Sequence, residues 1–590
     1  MTHRGMTDDD RTFPPDRARW GWLLGAFLGL TLLLRAPDLM LGTMPRVPSA
    51  EALAYYWEGP FRLLSLDLFA LVSLLALAPA AWARPARAAA VGSVGVLLAY
   101  ETYEAVVQAA LHRAPLFAAD VSHVVGALHL LYNAASPGQL AGGVVGIGAA
   151  VALLGWGLPP LVGRLHRVLR HPRVRRALLG LNVVVWGGVA FAAATDRGIE
   201  RQTYQAICLS TTECLVHNVQ ASRALRARIA ARQAQPADST YVRYHALDWA
   251  DPPSVYLVVL ESYGMALFGP EAGGAAGQRL LSSTTDSLRA AGWHAASAQS
   301  VAPVFGGLSW LSVASVLLGT PVEHQPTYQV LRPSLPHYPH LVRLLERQGY
   351  ATATLQPPVR PRPGLSVRNP YQFDRTFYLA DLDYSGPDYG WGIVPDQYSL
   401  SVAHEQFVEP AGGPFFLLFE AVTSHAPWDR PPPPIVADPQ ALNRASPERD
   451  AAAGADIPGP RSERDHLLRH LRYDWQVLVD YLRVQAPPNS LVVVVGDHQP
   501  YFAEGPSHTT PVHVLSRDEA LVRRFGAHGF APGLQPPAEA DSLRHAGLYS
   551  LLVRTITAHD RAAAGRSTAP LSPYRPGGVE RAALLPDPRP

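Results

Sequence analysis

Three apolar segments of this 590-residue chain end in side chains that could do chemistry. "VYLVVLES" ends in Glu261 and Ser262, "FFLLFEAVTSH" leads to Glu420 and His425, and "LVVVVGDHQP" leads to Asp497 and His498. Ligands bind beyond the carboxyl ends of strands in open α/β sheets, and mixed carboxylate and imidazole groups suit a divalent metal. An acid that follows a buried apolar run also needs a partner, because an unpaired buried charge is costly. We therefore expect a metal site at this sheet edge.

A fourth segment, "VFGGLSWLSVASVLLGTP", places Ser309 between a glycine pair and an apolar helical run that ends at Gly319. We predict that Ser309 is the N-cap of this helix, where backbone N–H groups and the helix dipole favour an anion. A capping serine is usually structural, but metal coordination would lower the pKa of its hydroxyl and make it a nucleophile. Only together with the strand-end groups does Ser309 indicate phosphoryl transfer.

The elements that must position these groups indicate an α/β domain over residues 251–562. Strand-like runs occur at residues 254–260, 351–356, 415–419 and 491–495. They alternate with helical patterns such as "HLVRLLERQGY" and "HLLRHLRYDWQVLVDYLR", which favours a sheet covered by helices. We predict a surface insertion or mobile loop over the Pro- and Ala-rich residues 430–464, and a poorly ordered Pro-rich tail over 563–590.

Residues 1–196 are predicted to form a transmembrane region. Its five apolar segments are residues 20–34, 68–83, 88–111, 140–162 and 177–195. A span needs about 20 apolar residues, which the last two approach most closely. The third segment carries Glu101 and Glu104. Acids in a span are often functional, but these two also fit the outer interface of the membrane, which we consider the better interpretation.

The arginines orient these spans. They concentrate before the first span, between the second and third, and between the fourth and fifth, so the positive-inside rule places the N-terminus in the cytoplasm. Five spans then place the later residues outside the cytoplasm, as in a multi-pass protein of the cell (inner) membrane. No small-residue cleavage site follows the first span, so we interpret it as retained rather than as a signal peptide.

Composition and cysteine content agree with this arrangement. The chain is 48% hydrophobic and 17% charged with a net charge of +2, which does not indicate nucleic-acid binding. Its two cysteines, Cys208 and Cys214, lie in the connector of residues 197–250, where a disulfide is plausible in an oxidising compartment and two unpaired thiols are the alternative. We expect the Arg-rich segment "SRALRARIAARQA" of this connector to be a solvated linker helix. No cysteine remains for catalysis or for a thiolate zinc site.

The motifs resemble the alkaline phosphatase superfamily, and within it the lipoteichoic acid synthase and phosphoglycerol transferase group of membrane enzymes. The resemblance rests on "LVVLES", "GGLSWLSVASVLLGT", "YGWGIVPDQ", "TSHAPW" and "VVVVGDHQP", and covers most of the chain. It implies five spans followed by an outward sulfatase-like domain. It also implies a ligand set for one divalent ion, Mn or Zn, that corresponds to Glu261, Ser309, Asp497 and His498.

The resemblance also implies roles for single residues. Ser309 replaces the threonine nucleophile of the group, and both residues supply a hydroxyl. Its distance from Gly319 favours it over Ser312 and Ser315. His425 is similar to the substrate-binding histidine of the group, and His508 in "GPSHTTP" is a second, weaker candidate for catalysis.

These features predict a phosphotransferase that moves a phospho-alcohol headgroup, with phosphoglycerol favoured, from a membrane phospholipid to a glycan or lipid acceptor of the envelope. A sulfatase proper is disfavoured, because the segment around Ser309 lacks the following Pro and Arg. Phosphoethanolamine transferases have Gly-Glu-Ser after the Asp-His pair, where this chain has Gln499 and Pro500. A phosphodiesterase or phosphatase with the same residues remains open. So does a membrane sensor or transporter with a degenerate outer domain. The oligomeric state is not encoded in any motif that we recognise.

Overall fold

The computed structural model describes thirteen parts of the chain. They are residues 16–41, 65–111, 113–124, 128, 136–194, 210–269, 274–360, 369–428, 430–444, 462–503, 507–537, 543–565 and 571–585. The chain divides into two compact units, Met1–Leu225 and Arg226–Pro590. This division falls inside the predicted connector of residues 197–250.

The amino-terminal unit is helical. Its long helices are α1 (Asp16–Leu41), α2 (Leu66–Leu77), α3 (Ala83–Leu111), α4 (Pro137–Leu169) and α5 (Pro172–Ala194). Four of the five predicted spans lie almost entirely within one helix, whereas the second, residues 68–83, extends beyond the end of α2 at Leu77. By length and hydropathy, three helices of the described residues could cross a membrane, namely Arg19–Leu41, Ala80–Ala109 and Pro137–Leu169. Helix α2 has only 12 residues, which is shorter than a bilayer requires, so the count of five spans stays a prediction.

Glu101 and Glu104 lie inside this helical unit. Glu101 on α3 is 3% exposed and forms an ion pair of 2.9 Å with Arg35 on α1. The Thr211 hydroxyl donates a hydrogen bond to the same carboxylate. Glu104 is also buried, and its Oε1 accepts a hydrogen bond from Gln108 Nε2. Both acids therefore have protein partners, and Glu101 joins two helices.

Helix α6 (Thr211–Ala234) contains the Arg-rich connector segment, so the prediction that this segment is helical is confirmed. Cys214 in its first turn is disulfide-bonded, whereas Cys208 lies outside the described residues. A disulfide at Cys214 is consistent with the oxidising compartment that the arginine pattern predicts.

The carboxyl-terminal unit is built on one eight-stranded mixed sheet. Its strands are β1 (Ser254–Leu260), β2 (His294–Val301), β3 (Ala351–Leu355), β4 (Arg375–Phe377), β5 (Phe415–Ala421), β6 (Ser490–Gly496), β7 (Thr509–Ser516) and β8 (Ala531–Pro532). Their order across the sheet is β4-β3-β5-β1-β6-β7-β2-β8. The first five strands in this order, from β4 to β6, are parallel to one another. The strand β7 is antiparallel to both β6 and β2. The four predicted strands are confirmed as β1, β3, β5 and β6.

Helices cover both faces of this sheet. They are α7 (Gly274–Ala290), α8 (Ser309–Leu318), α9 (Gln325–Leu331), α10 (Leu341–Arg347), α11 (Asp396–Ala403), α12 (Glu463–Val484), α13 (Glu519–Arg524) and α14 (Gly547–Ala563). The core on one face includes α8, α10, α13 and α14, and the core on the other includes α7, α11 and α12. All seven residues of β1 and of β6 are buried, as apolar runs covered on both faces require. The carboxyl ends of these two central strands therefore lie side by side.

The structure describes part of the predicted insertion and part of the predicted tail. Within the predicted insertion, residues 430–444 include a short helix, Gln440–Asn443, while residues 445–461 lie outside the described part. The prediction of a poorly ordered tail is wrong for residues 571–585. There Val579 and Ala582 are buried, and Val579 N donates a hydrogen bond of 2.8 Å to Gly319 O. A few apolar residues anchor this segment, although proline dominates its composition.

Gly319, which ends α8 as predicted, tests how tightly this unit is packed. Its φ is +64°, and an added Cβ would lie 2.5 Å from the hydroxyl of buried Tyr241. Gly349 also has a positive φ, +81°, but has nothing within 4 Å of an added Cβ. We expect Gly349→Ala to cost about 1 kcal/mol from backbone strain, and Gly319→Ala to cost about 1–3 kcal/mol more from overpacking.

The measurement is the apparent melting temperature of the full-length protein in detergent. Equal shifts for the two variants would contradict the packing argument. Gly349→Ala is the matched control, because it changes the same kind of backbone position without the steric overlap.

Candidate metal centre and active site

The first side of the site is the turn that follows β1. Glu261 is 7% exposed, and the Ser262 hydroxyl donates a hydrogen bond of 2.9 Å to its Oε1. Ser262 has a φ of +58°, which is uncommon for a residue with a side chain. This conformation directs Ser262 N to Asp497 Oδ1 at 2.8 Å. The turn therefore joins the acid after β1 to the acid after β6.

The end of β6 supplies the second acid. Asp497 is 1% exposed, and its Oδ1 also accepts a hydrogen bond of 2.7 Å from His498 N. Its Oδ2 is buried and accepts no hydrogen bond from a donor among the described residues. A Cβ on the preceding Gly496 would lie 1.8 Å from Tyr263 O, so only glycine lets the two strand ends approach this closely. Asp497 thus has one oxygen bound by amides and one left for another ligand.

His498 presents its Nε2 atom to the same place. Its Nδ1 lies 2.8 Å from Gln499 O, and a carbonyl can only accept, so Nδ1 carries the proton. The lone pair is then on Nε2, which is the arrangement of a metal-binding imidazole. Burial lowers the pKa of His498, which favours this neutral form. Nε2 lies 3.2 Å from Asp497 Oδ2 and 3.4 Å from Glu261 Oε1.

Ser309 faces these groups from the start of α8. Its hydroxyl donates a hydrogen bond of 3.0 Å to Glu261 Oε2 and lies 3.4 Å from His498 Nε2. The prediction that Ser309 is the N-cap is wrong by one residue: Leu308 is the N-cap, with a φ of +69°. Gly306 and Gly307 also have positive φ values. This left-handed run turns the Ser309 hydroxyl toward the acids instead of toward the helix amides.

The other two serines of α8 have internal partners. Ser312 Oγ donates a hydrogen bond of 2.6 Å to Asp497 O, and Ser315 Oγ donates one of 2.9 Å to Leu311 O. Both side chains are 1% exposed. Among these three serines, the Ser309 hydroxyl is the one that contacts the carboxylate and imidazole groups.

The residues present fit a divalent cation. Among the described residues, the ligand atoms of Glu261, Asp497 and His498 lie within 4.8 Å of one another. Burial raises the pKa of Asp497, and the charge of Glu261 raises it further. Burial also acts to raise the pKa of Glu261, but His425, then His498, together with hydrogen bonds, hold it below its ordinary value. A cation would allow both acids to be charged, and it would give the orphaned Asp497 Oδ2 a partner.

His425 lies on the turn that follows β5. Ser424 Oγ donates a hydrogen bond of 3.0 Å to Glu261 O, which ties this turn to the end of β1. The His425 ring stacks on Trp391, with centroids 4.2 Å apart and planes at 15°. Its Nδ1 is hydrogen-bonded to Ala426 O, so Nδ1 carries the proton. The ring also lies beside a small cavity that is lined by Tyr389, Arg430 and His470.

Glu420 and His508 lie outside the group of metal-ligand atoms found among the described residues. Glu420 Oε1 accepts a hydrogen bond of 2.5 Å from Gln356 Nε2, and burial raises its pKa to about 7. The His508 ring lies 5.7 Å from that of Phe305, on the loop that leads to Ser309. Burial lowers the pKa of His508. The catalytic role of His508 stays a prediction.

Sequence reasoning did not single out Trp391 or Asp396. Both lie in "YGWGIVPDQ", a motif that was used only for the resemblance. Trp391 contacts His425, and the Asp396 carboxylate accepts hydrogen bonds from the amides of Val422 and Thr423. The available signal was an exposed tryptophan between two glycines, which is unusual for a plain surface turn.

Comparison with known proteins agrees with the motifs. Residues 253–522 match the model of the sulfatase family. The carboxyl-terminal unit therefore contains a domain that is similar to the sulfatase family. The sheet and helices described above are the α/β architecture of this domain. No curated protein sequence matches the chain.

Several solved structures are similar to this chain at low identity. An alkaline phosphatase superfamily protein from Vibrio parahaemolyticus is 17% identical with a TM-score of 0.37, over 52% of this chain and 67% of its own. The lipoteichoic acid synthase LtaP from Listeria monocytogenes is 15% identical with a TM-score of 0.31, over 47% and 70%. The integral membrane lipooligosaccharide phosphoethanolamine transferase A from Neisseria meningitidis is 14% identical with a TM-score of 0.45, over 92% and 95%.

Proposed function

We propose that this protein is a membrane-anchored, metal-dependent phosphotransferase that uses Ser309 as a covalent nucleophile. It moves a phospho-alcohol headgroup, with phosphoglycerol favoured, from a membrane phospholipid to a glycan or lipid acceptor. The observation that carries this proposal is the Ser309 hydroxyl, 3.0 Å from Glu261 Oε2 and 3.4 Å from His498 Nε2. A hydroxyl that served only to cap a helix would instead bind the amides of its own first turn.

Glu261, Asp497 and His498, with Ser309 as fourth ligand, would hold one Mn or Zn ion. The bound ion supplies Lewis-acid stabilisation of the phosphoryl oxygens and lowers the pKa of the serine hydroxyl. The protein's own part is to fix the ligands. Ser262 N and His498 N hold Asp497 Oδ1, and the Gln499 carbonyl holds His498 Nδ1. The loop of Gly306 and Gly307 directs Ser309 at the same point.

The reaction has two displacement steps. Ser309 first loses its hydroxyl proton to solvent, and its Oγ attacks the phosphorus of the lipid phosphodiester. The bond from phosphorus to the diacylglycerol oxygen breaks, and His425, protonated on both ring nitrogens at this stage, donates its Nε2 proton to that leaving oxygen. The acceptor hydroxyl then gives its proton to His425 and attacks the phosphoserine, which releases Ser309. His425 lies close enough to Glu261 and His498 for its charge to act on the pKa of both residues. This position supports the role of His425 in proton transfer. We assign both proton transfers to His425, because the hydrogen bond from Ser424 ties its turn to Glu261, whereas the His508 ring packs beside Phe305.

A membrane-anchored domain suits a lipid donor, because it holds the site near the headgroups and raises their effective concentration. Three candidate spans and the disulfide at Cys214 support a membrane protein whose catalytic domain lies on the extracytoplasmic side. The arginine pattern supports the same orientation.

The choice of phosphoglycerol rests on the residues after the Asp-His pair. Gln499 is 2% exposed, and its side chain accepts from Ala266 N at 3.1 Å and donates to Thr509 O at 2.8 Å. It therefore serves as an internal bridge between the loops after β1 and before β7. The Gly-Glu-Ser sequence of phosphoethanolamine transferases has no counterpart here.

The deciding experiment is the intact mass of the full-length, metal-loaded protein after incubation with phosphatidylglycerol vesicles. We expect an adduct of glycerophosphoryl mass on the wild type and none on Ser309→Ala. Phosphatidylethanolamine vesicles form the second arm, and an adduct found only there would replace phosphoglycerol by phosphoethanolamine. No adduct in either arm would contradict the covalent mechanism.

The nearest rival is hydrolysis by the same residues. Headgroup recovered as free glycerol phosphate, with none on a glycan or lipid acceptor, would indicate a phosphodiesterase. Headgroup joined to the acceptor supports the transferase. The adduct forms in both cases, so the acceptor assay is independent of the mass measurement.

A further inference from the structure

Asp396, at the start of α11, is buried in the core and binds the turn that carries His425. It is 0% exposed. Its Oδ1 accepts a hydrogen bond of 3.1 Å from Val422 N, and its Oδ2 accepts one of 2.9 Å from Thr423 N. These are the first two amides after β5, where the chain leaves the sheet. Each carboxylate oxygen thus holds one amide of the turn.

The turn is fixed from its other side by the catalytic centre itself. Ser424 Oγ donates a hydrogen bond of 3.0 Å to Glu261 O, and Trp428 Nε1 donates one of 2.9 Å to Ser424 O. His425 lies between these anchored residues. Its position relative to Glu261 therefore depends on the backbone that Asp396 holds.

Asp474 on α12 explains how Asp396 can remain charged in the core. Asp474 is 3% exposed, and neither of its oxygens accepts a hydrogen bond of ordinary geometry from a donor among the described residues, although the Ser424 hydroxyl lies nearby. Burial raises the pKa of Asp474, and the charge of Asp396 raises it further. The two carboxyl groups are within hydrogen-bond reach of each other. A proton on Asp474 gives it a donor that the Asp396 carboxylate can accept.

We propose that Asp396 and Asp474 are positioning residues for His425. Asp396 is ionised and holds the two amides that precede His425, and Asp474 is protonated and donates a hydrogen bond to Asp396. Neither residue touches the reacting atoms. This inference rests on the proposed role of His425 as the proton donor and acceptor.

The proton assignment makes the two carboxyl groups respond differently to the same substitution. In Asp396→Asn, one carboxylate oxygen becomes an NH₂ group that faces a backbone N–H, so one of the two amides loses its acceptor. In Asp474→Asn, the NH₂ group replaces the O–H donor and the contact with Asp396 survives. We therefore expect a large effect from the first variant and a small effect from the second.

Asp560→Asn is the matched control. Asp560 is also buried, and its Oδ1 accepts hydrogen bonds from Ala250 N and Asp251 N at 2.8 Å and 3.0 Å. A single oxygen serves both amides there, so an asparagine can keep both. It is remote in sequence from the turn of His425 and shares no hydrogen bond with it.

The structural readout is hydrogen–deuterium exchange of the full-length, metal-loaded protein, followed in peptides that cover residues 415–428 and, as reference, 490–498. We expect Asp396→Asn to raise exchange in the first peptide about 10-fold and to leave the reference unchanged. Asp474→Asn and Asp560→Asn should change the first peptide less than about 3-fold. Unchanged exchange in Asp396→Asn, or equal increases in Asp396→Asn and Asp474→Asn, would overturn the inference.

The functional readout is headgroup transfer from phosphatidylglycerol vesicles in a double-mutant cycle with His425→Gln, because the diacylglycerol oxygen needs a proton in order to leave. A positioning role predicts that Asp396→Asn and His425→Gln are non-additive, so the double variant is no slower than the slower single variant. Additive losses would contradict positioning of His425. If His425→Gln retained full turnover while the exchange result held, the proposed catalytic role of His425 would fail and the structural part of the inference would stand.

Discussion

Replacing Ser309 with alanine is expected to lower headgroup transfer from phosphatidylglycerol vesicles by at least about 10³-fold. The serine hydroxyl is a nucleophile that is already in contact with both Glu261 and His498. Ser309→Thr should retain measurable transfer, because threonine presents a hydroxyl from the same backbone position. The rate is measured with the full-length, metal-loaded protein in detergent.

Ser315→Ala is the control on the same helix. Its hydroxyl contacts Leu311 O and Val322 N, far from the carboxylates in the hydrogen-bond network. We expect a modest loss of stability and nearly unchanged transfer, because the nucleophile is intact. Transfer that persisted in Ser309→Ala would exclude Ser309 as the nucleophile.

Replacing Asp497 with asparagine is expected to remove the metal ion and thereby to lower the activity at least about 10³-fold. Oδ1 of Asp497 accepts two backbone amides, so the carbonyl oxygen of an asparagine must occupy that place. The NH₂ group then replaces Oδ2, and an amide nitrogen with two hydrogens cannot bind a cation. Metal content per protein, measured by mass spectrometry of the dialysed protein, should fall from about one to below about 0.1.

The same substitution should have the opposite effect on the protein without metal. Burial raises the pKa of Asp497, and the charge of Glu261 raises it further, so the two acids oppose each other's ionisation. Asparagine removes this conflict, so metal-free Asp497→Asn should melt at a higher temperature than the metal-free wild type. Added Mn²⁺ or Zn²⁺ should stabilise the wild type and leave the variant unchanged.

Glu420→Gln is the matched control for this experiment. Glu420 is the penultimate residue of the neighbouring strand β5 but lies outside the group of ligand atoms identified among the described residues. We expect its metal content to equal that of the wild type. Metal loss in Glu420→Gln but not in Asp497→Asn would mean that the ion lies elsewhere.

Continuous apolar runs made part of the fold predictable. The strands β1, β5 and β6 are apolar because helices cover both sides of the sheet, so composition alone marks them. The strand β3, "ATATL", is marked instead by its β-branched threonines. The strand β2 was not predicted, because "HAASAQSV" is small and polar, and its burial comes from neighbours far along the chain. The strand β7 contains Pro511 and His513, which a sequence pattern assigns to a loop.

The residues of the candidate site that directly follow a strand could be predicted from the sequence. Glu261, Asp497 and His498 directly follow β1 and β6, so strand order alone brings them together. Ser309 is reached through three consecutive left-handed residues, of which Leu308 gives no sequence signal. Asp396 does not follow a strand, and an acid in the first turn of a helix usually serves only to interact with the helix dipole. Its partners became visible only with the tertiary structure.

The central position of β1 has a consequence for the biogenesis of the enzyme. Both neighbours of β1 in the sheet come later in the chain, and Ser262 and Asp497 are 235 residues apart. During synthesis the first carboxylate therefore emerges long before its partners, and closing so long a loop comes late in folding. No cation can be captured at full affinity until β6 has docked beside β1. The ion thus enters a nearly finished domain, and a prematurely terminated chain carries Glu261 and Ser309 without becoming active.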